Sequence, residues 1–231
     1  MKTIGMIGGM SWESSMVYYR IVNEAVRDTL GGLHSAKSIM YSVEFAEIEA
    51  LQHHNHWEDA ARIMINAAQS LERGGADFVI ICTNTMHKLY DAVQQNIQIP
   101  MLHIADATAE VIQTHKIRKI ALLGTRFTME EDFYKRRLVG RYGLEIIVPV
   151  QADRGIVHTI IYEELCAGII RPDSKRKYGD IIQRLVAEGA EGIVLGCTEI
   201  GLLVKQADSP VTLFDTTEIH ARAAVQYALR D

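Results

Sequence analysis

Two α/β lobes, each built on a parallel sheet, are what this sequence predicts. Three observations carry that prediction. Short apolar runs alternate with amphipathic helical stretches, the order that makes parallel strands with helical crossovers. The 231 residues suffice for one large domain or two small ones. The third is an internal repeat. Gly75-Ala-Asp-Phe-Val-Ile-Ile-Cys-Thr-Asn-Thr85 resembles Gly189-Ala-Glu-Gly-Ile-Val-Leu-Gly-Cys-Thr-Glu199, 114 positions further on. Lys119-Ile-Ala-Leu-Leu-Gly-Thr125 likewise echoes Thr3-Ile-Gly-Met-Ile-Gly-Gly9, with Gly8 opposite Gly124 and Gly9 opposite Thr125. A duplication of about half the chain predicts two similar lobes facing each other, and a cleft between lobes is a standard ligand site. The first lobe is expected over residues 1–105, completed by a C-terminal helix at 215–231, and the second over 106–214.

In order along the chain, Thr3 to Ile7 is a short apolar strand closed by Gly8-Gly9. Ser11, with Glu13 or Ser14, offers the cap of a helix whose apolar residues Met16, Tyr19, Ile21, Val22, Val26 and Leu30 recur at helical spacing until Gly31-Gly32 ends it. Two glycines between strand and helix make an anion seat, but neither a dinucleotide fingerprint nor a Walker sequence is present. A second strand is expected from Ser38 to Phe45, then helical pattern through Gln52, a helix over Trp57–Leu71, and a third strand from Ala76 to Ile81. Thr85 begins the next helix, and Ile97–His103 leads into a further strand. The second half reads as the strand 119–124, helices around Glu130–Val139, Gly155–Ala167 and Ser174–Glu188, the strand 191–196, a strand at Val211–Phe214, and a helix with a cap-like start at Asp215.

Composition narrows the function. The chain is 48% hydrophobic and 23% charged, which is ordinary for a globular protein. A formal charge of −5 supports neither a nucleic-acid nor a membrane surface. Three cysteines without framework spacing point to a reducing compartment, and the N-terminus runs straight into strand and turn without a signal-peptide pattern, so a cytoplasmic location is expected. His53, His54 and His56 invite a metal reading, but lie in a polar helix junction without an acidic or sulfur partner at ligand spacing. No metal is expected.

The chemistry centres on Glu191-Gly-Ile-Val-Leu-Gly-Cys-Thr-Glu199. It places Cys197 at a strand's C-terminal end, where open α/β sheets hold their ligands. An exposed thiol at a following helix N-terminus would have a lowered pKa and reactive thiolate character. The repeat sets Thr83 opposite Cys197 and Cys82 opposite Gly196. Sliding by one residue to match the cysteines would break the Gly-Ala-acid match and turn the strand's faces over. Thr83 and Cys197 at equivalent strand ends suit opposed proton transfers at one carbon. Asn84, Thr85, Thr198 and Glu199 offer backbone N–H groups for a carboxylate, and Gly8, Gly9 and Met10 line the same cleft. Cys166 reads as mid-helix packing, and His87 and His220 as groups that orient neighbours or fill core.

At these motifs the chain resembles the aspartate/glutamate racemase family, which works without pyridoxal phosphate, and within it the aspartate racemase branch. The resemblance runs nearly end to end. It includes Ile7-Gly-Gly-Met-Ser-Trp-Glu-Ser14, Cys82-Thr-Asn-Thr-Met-His87, Leu122-Leu-Gly-Thr125, Tyr162-Glu-Glu-Leu-Cys166 and Leu195-Gly-Cys-Thr-Glu-Ile-Gly-Leu202. It implies lobes related by a pseudo-twofold axis, one catalytic cysteine from each, no cofactor, and a homodimer. The family's first cysteine directly precedes Asn-Thr, the position of Thr83; its second is Cys197. The resemblance therefore implies Cys197 as the base for the L enantiomer, with the Thr83 hydroxyl or a bound water as proton donor on the opposite face. Basic residues thought to hold a substrate's side-chain carboxylate are replaced here by Glu44, Glu47 and Glu49 in one region and Glu163-Glu164 in another. Gln52 offers hydrogen bonds there, and Arg126 and Lys88 are nearby positive charges. The expected activity is amino-acid racemisation of aspartate or glutamate. The alternatives are a sister activity (hydantoin racemase, maleate isomerase or decarboxylase) or a non-catalytic small-molecule binding protein.

Overall fold

The computed structural model describes residues 1–230 and divides them into two compact units, residues 1–104 with 220–230, and residues 105–219. The first unit carries β1 (Ile4–Gly8), α1 (Trp12–Leu30), β2 (Ser38–Ser42), α2 (Phe45–His53), α3 (Trp57–Arg73), β3 (Phe78–Ile81), α4 (Tyr90–Gln94) and β4 (Met101–Leu102). Its four strands pair in parallel in the order β2-β1-β3-β4. From α5 (Ile104–Thr114) the chain enters the second unit, with β5 (Lys119–Gly124), α6 (Arg126–Glu130), α7 (Asp132–Tyr142), β6 (Glu145–Ile147), α8 (Gln151–Glu163), α9 (Pro172–Ala187), β7 (Gly192–Gly196), α10 (Ile200–Leu203) and β8 (Thr212–Asp215). Its sheet is parallel in the order β6-β5-β7-β8, the same topology again. The last helix, α11 (Thr216–Leu229), begins in the second unit and ends in the first.

The α/β class and the two parallel sheets are those the sequence predicts. The duplication extends to side-chain detail and corrects one pairing. Ser11 caps α1 by accepting from the Ser14 backbone N–H, and Thr125 caps α6 by accepting from that of Thr128. Thr125 is therefore the counterpart of Ser11 rather than of Gly9, and Gly9-Met10 is extra chain in the first unit. Gly9 adopts φ +94°, and a Cβ there would meet the Val43 carbonyl, so only glycine fits this extra turn.

Boundaries differ elsewhere for identifiable reasons. The second strand stops at Ser42 instead of Phe45, because the Glu44 carboxylate accepts from the Ala46 and Glu47 N–H groups and starts α2. The segment from Thr85 opens as a 3-10 turn, Thr85–Leu89, before α4. Helix α8 ends at Glu163, so Cys166 lies in a separate 3-10 turn, Leu165–Ala167, and not mid-helix; it still packs against the core. Strand β6 and helix α5 are additional to the elements the sequence reading names.

Alternation along the strands decides which side chains reach which core. In β1 and β3, Ile7, Val79 and Ile81 pack with Met64, Ala67, Ala68 and Leu71 of α3. The opposite face, Ile4, Met6, Phe78, Ile80 and Cys82, packs on Tyr18, Val22 and Val26 of α1 and on Ala221, Ala224 and Val225 of α11. In the second unit Ala121, Leu123, Ile193, Leu195 and Cys197 share one face, against Val157, Ile160 and Ile161 of α8 and Tyr178, Ile181, Ile182 and Leu185 of α9. Among the described residues no helix is long and apolar enough to cross a membrane.

Candidate active site

In the first unit the site residues follow β3. Cys82 continues the Phe78–Ile80 face into the core, where it is 1% exposed and burial pushes its thiol far up. Thr83, one residue on, is half-buried. Asn84 and Thr85 are buried beside it. Buried His87 fixes the bend. The Ile104 backbone N–H donates to its Nε2 (3.2 Å), so Nδ1 carries the proton and donates to the Thr83 carbonyl (2.8 Å). This single neutral tautomer ties the Thr83 backbone to the chain beyond β4. His103 lies 4.5 Å and His220 5.7 Å from the His87 ring, centroid to centroid. His220 is equally determined: its Nε2–H donates to the Leu102 carbonyl (3.2 Å) and its Nδ1 accepts from the Tyr18 hydroxyl (3.0 Å).

Other candidates in this unit are occupied in ways the sequence did not suggest. Gln52 is buried and its amide N–H donates to the Met86 sulfur at 3.0 Å. Met10 is buried in the core with Ile7 and Ile81. The Lys88 ammonium sits 3.8 Å over the Trp57 ring, a cation–π contact. Glu44 is engaged in capping α2. His53 pairs with Glu49 one helical turn away (3.1 Å), an acidic partner the sequence reading missed. Among the described residues no group of three His, Cys, Asp or Glu side chains has a metal-holding arrangement.

In the second unit the site follows β7. Gly124 and Gly196 pair at the ends of β5 and β7, and a Cβ on Gly124 would lie 2.7 Å from the Gly196 carbonyl oxygen. That close approach brings the chain to Cys197 without a side chain on the sheet edge. Cys197 is buried, and its Sγ–H donates to Glu199 Oε2 at 2.9 Å; the Thr198 hydroxyl donates to the same oxygen at 2.8 Å. Buried hydroxyls from the start of α11 hold the backbone: Thr216 donates to the Leu195 carbonyl (2.7 Å) and Thr217 to that of Thr198 (3.4 Å). These two threonines are site supports that sequence reasoning missed. Asp215 starts the helix by accepting from the Thr217 N–H (2.9 Å), the local signal that could have revealed them.

The electrostatics overturn the expected exposed, acidified thiol. Burial holds Cys197 well above the ordinary thiol range, and the neighbouring Glu199 carboxylate raises it further. Helix α10 cannot reverse this. It is 4 residues long, too short for a significant dipole. Glu199 meanwhile contributes its side chain to Cys197, a role the backbone-only expectation did not include. Tyr178 of α9, fully buried, lies near the same group, its hydroxyl also pushed well up by burial and then by Cys197 and Cys166.

Residues 7–224 match the family model for Asp/Glu/Hydantoin racemase. The chain belongs to the Asp/Glu/Hydantoin racemase family. A candidate Asp/Glu racemase from Yersinia pestis is similar over its whole length, with 54% identity, full coverage of both chains and a TM-score of 0.92. An aspartate racemase homologue from Pyrococcus horikoshii OT3 is 39% identical, again over both full chains, with a TM-score of 0.86. The broad specificity amino-acid racemase RacX of Bacillus subtilis (strain 168) is 27% identical over 171 residues, 73% of this chain and 72% of the relative.

The packing of the three thiols yields an expectation of its own. Cys82→Ala and Cys166→Ala should each keep turnover, with a stability loss of about 1 kcal/mol or less. Turnover assays beside urea melts check this. Loss of activity in folded Cys82→Ala would reverse the roles of Cys82 and Thr83.

Proposed function

We propose that this chain is a cofactor-independent amino-acid racemase acting on aspartate or glutamate. Cys197 takes the α-proton of the L enantiomer, and Thr83, or a water it holds, returns a proton to the opposite face. The observation that carries the reading is an intact Cys197 at the end of β7, hydrogen-bonded to a carboxylate, in a chain of this family. Removal of an α-proton leaves a planar carbanion whose charge spreads into the substrate carboxylate. Inversion then needs only a donor on the other face. The Thr83 hydroxyl is a donor and relay but a poor base, which makes the two halves of the reaction unequal. Backbone N–H groups of Asn84, Thr85, Thr198 and Glu199 are the proposed seat of the substrate carboxylate, with Met10 and Gln52 as further substrate contacts. The similarity to a broad specificity amino-acid racemase supports an amino-acid substrate; the aspartate/glutamate choice follows the resemblance. The reading extends to a cytoplasmic homodimer that needs neither metal nor pyridoxal phosphate.

The test is deuterium incorporation at Cα from deuterium oxide, screened across L-amino acids with protein dialysed against a chelator. Exchange into L-aspartate or L-glutamate, with D product following, is expected. Ligand binding without exchange would select the non-catalytic alternative, and turnover confined to hydantoins or maleate would select a sister activity.

A further inference from the structure

The position of Glu199 poses a question that the racemase reading alone does not answer. A thiol held above its ordinary range by burial, with an anionic neighbour, is not a preformed thiolate. Yet Cα deprotonation needs a thiolate. The Cys197 proton points at Glu199 Oε2, 2.9 Å from Sγ. That is within the reach required of a general base. The acceptor is itself oriented, because the Thr198 hydroxyl donates to the same oxygen at 2.8 Å. Glu199 is 2% exposed, so its carboxylate is held away from bulk solvent in the resting protein.

We infer that Glu199 is a catalytic residue, the proton acceptor that turns the Cys197 thiol into a base at the moment of reaction. This inference rests on the racemase reading and deepens it. In the step, the substrate Cα–H bond breaks and its proton forms a new S–H bond. The original S–H bond breaks as its proton forms an O–H bond on Glu199, and the C–H electron pair stays on the substrate as the carbanion. The carbanion takes a proton from the donor on its other face. As product leaves and water enters in its place, the Glu199 proton passes to that water and the donor recovers one from it, so protons balance over the cycle. The arrangement keeps the thiol neutral between turnovers and never places two anions side by side, which the surrounding apolar core would disfavour. The other titratable groups facing the pair are Tyr178 from α9 and Cys166 from the chain between α8 and α9.

The test uses a Cys82→Ala, Cys166→Ala background, so that Cys197 is the one thiol read, and compares Glu199, Glu199→Gln and Glu199→Asp. Two quantities are measured on folded protein: the pH midpoint of iodoacetamide alkylation, and α-deuteration of L-aspartate and L-glutamate in deuterium oxide. Glu199→Gln removes a like charge, so the alkylation midpoint should fall and the thiol become more reactive. Exchange should nevertheless fall about 10²-fold or more, the scale of a lost general base. Opposed movement is the signature, since a purely structural or electrostatic role would move both in one direction. Glu199→Asp keeps a carboxylate and should keep the high midpoint with intermediate exchange. Exchange unchanged or raised in Glu199→Gln, or an alkylation midpoint that does not move, overturns the inference while leaving the racemase reading intact. A parent protein that exchanges neither substrate overturns the racemase reading, and this inference with it.

Discussion

Thr83→Cys should raise the rate at which a D substrate loses its α-proton by about 10²-fold, the scale of a gained general base. Thr83 stands at the strand-end position equivalent to Cys197 in the repeat, and its hydroxyl cannot form the anion a thiolate base provides. The wild-type protein should therefore wash out the α-proton of an L substrate faster than D product appears, and exchange the D substrate slowly. Thermodynamics limits how this imbalance can show itself. Free enantiomers in achiral water have equal free energy, so the equilibrium constant for inversion is unity. The two values of kcat/KM must then be equal for any true racemase. One-sidedness can appear only as a split between kcat and KM, or as exchange without inversion. Initial α-proton exchange from each pure enantiomer at saturation measures it. Equal exchange from both, unmoved by Thr83→Cys, would end the asymmetric mechanism and leave the racemase assignment standing.

The second large effect is on stability. Burial lowers His220 from an ordinary value of 6.5 to about 4. The unfolded chain therefore binds a proton at this residue where the native chain does not, and stability rises with pH across that window. The contribution is complete above pH 6.5 and lost as pH falls through about 4. At about 1.4 kcal/mol per unit of difference, the window represents roughly 3 kcal/mol. Its neutral form is held by the Tyr18 hydroxyl and the Leu102 carbonyl, which require the proton on Nε2 and a lone pair on Nδ1. Urea midpoints measured from pH 7 to pH 4 should fall in the wild type and fall less steeply in His220→Gln, whatever the starting stability of that variant. Parallel slopes would show that His220 does not carry the acid sensitivity.

Much of this architecture was legible because it is written in local pattern. The Gly-Ala pairs at Gly75 and Gly189 fix a register, and strand periodicity then sends Cys82 into the apolar face that holds Phe78 and Ile80. Strand ends and caps were less legible where two signals overlapped, as at Glu44, whose carboxylate starts a helix inside what alternation alone reads as strand. What the sequence could not convey was partnership over distance and the sign of an electrostatic balance. His87, His103 and His220 are far apart in the chain and come together only because β3, β4 and α11 share one unit. Gln52 is expected as a substrate ligand, and nothing in the sequence conveys that its amide also meets the Met86 sulfur. For Cys197, a strand end and helix start argue for a low thiol pKa, but that argument assumes exposure. Burial and the Glu199 carboxylate reverse it.

The central claim is that Cys197 moves the α-proton. Cys197→Ser keeps the size and hydrogen-bonding capacity of the side chain but replaces the thiol with a far weaker acid. The decisive measurement is α-deuteration of L-aspartate and L-glutamate in deuterium oxide by wild type and by Cys197→Ser, both shown to be folded by circular dichroism. The account predicts exchange by the wild type and a loss of about 10²- to 10⁴-fold in the variant. Exchange by Cys197→Ser within a factor of about two of the wild type would contradict it, since a general base of this kind supplies at least about 10²-fold.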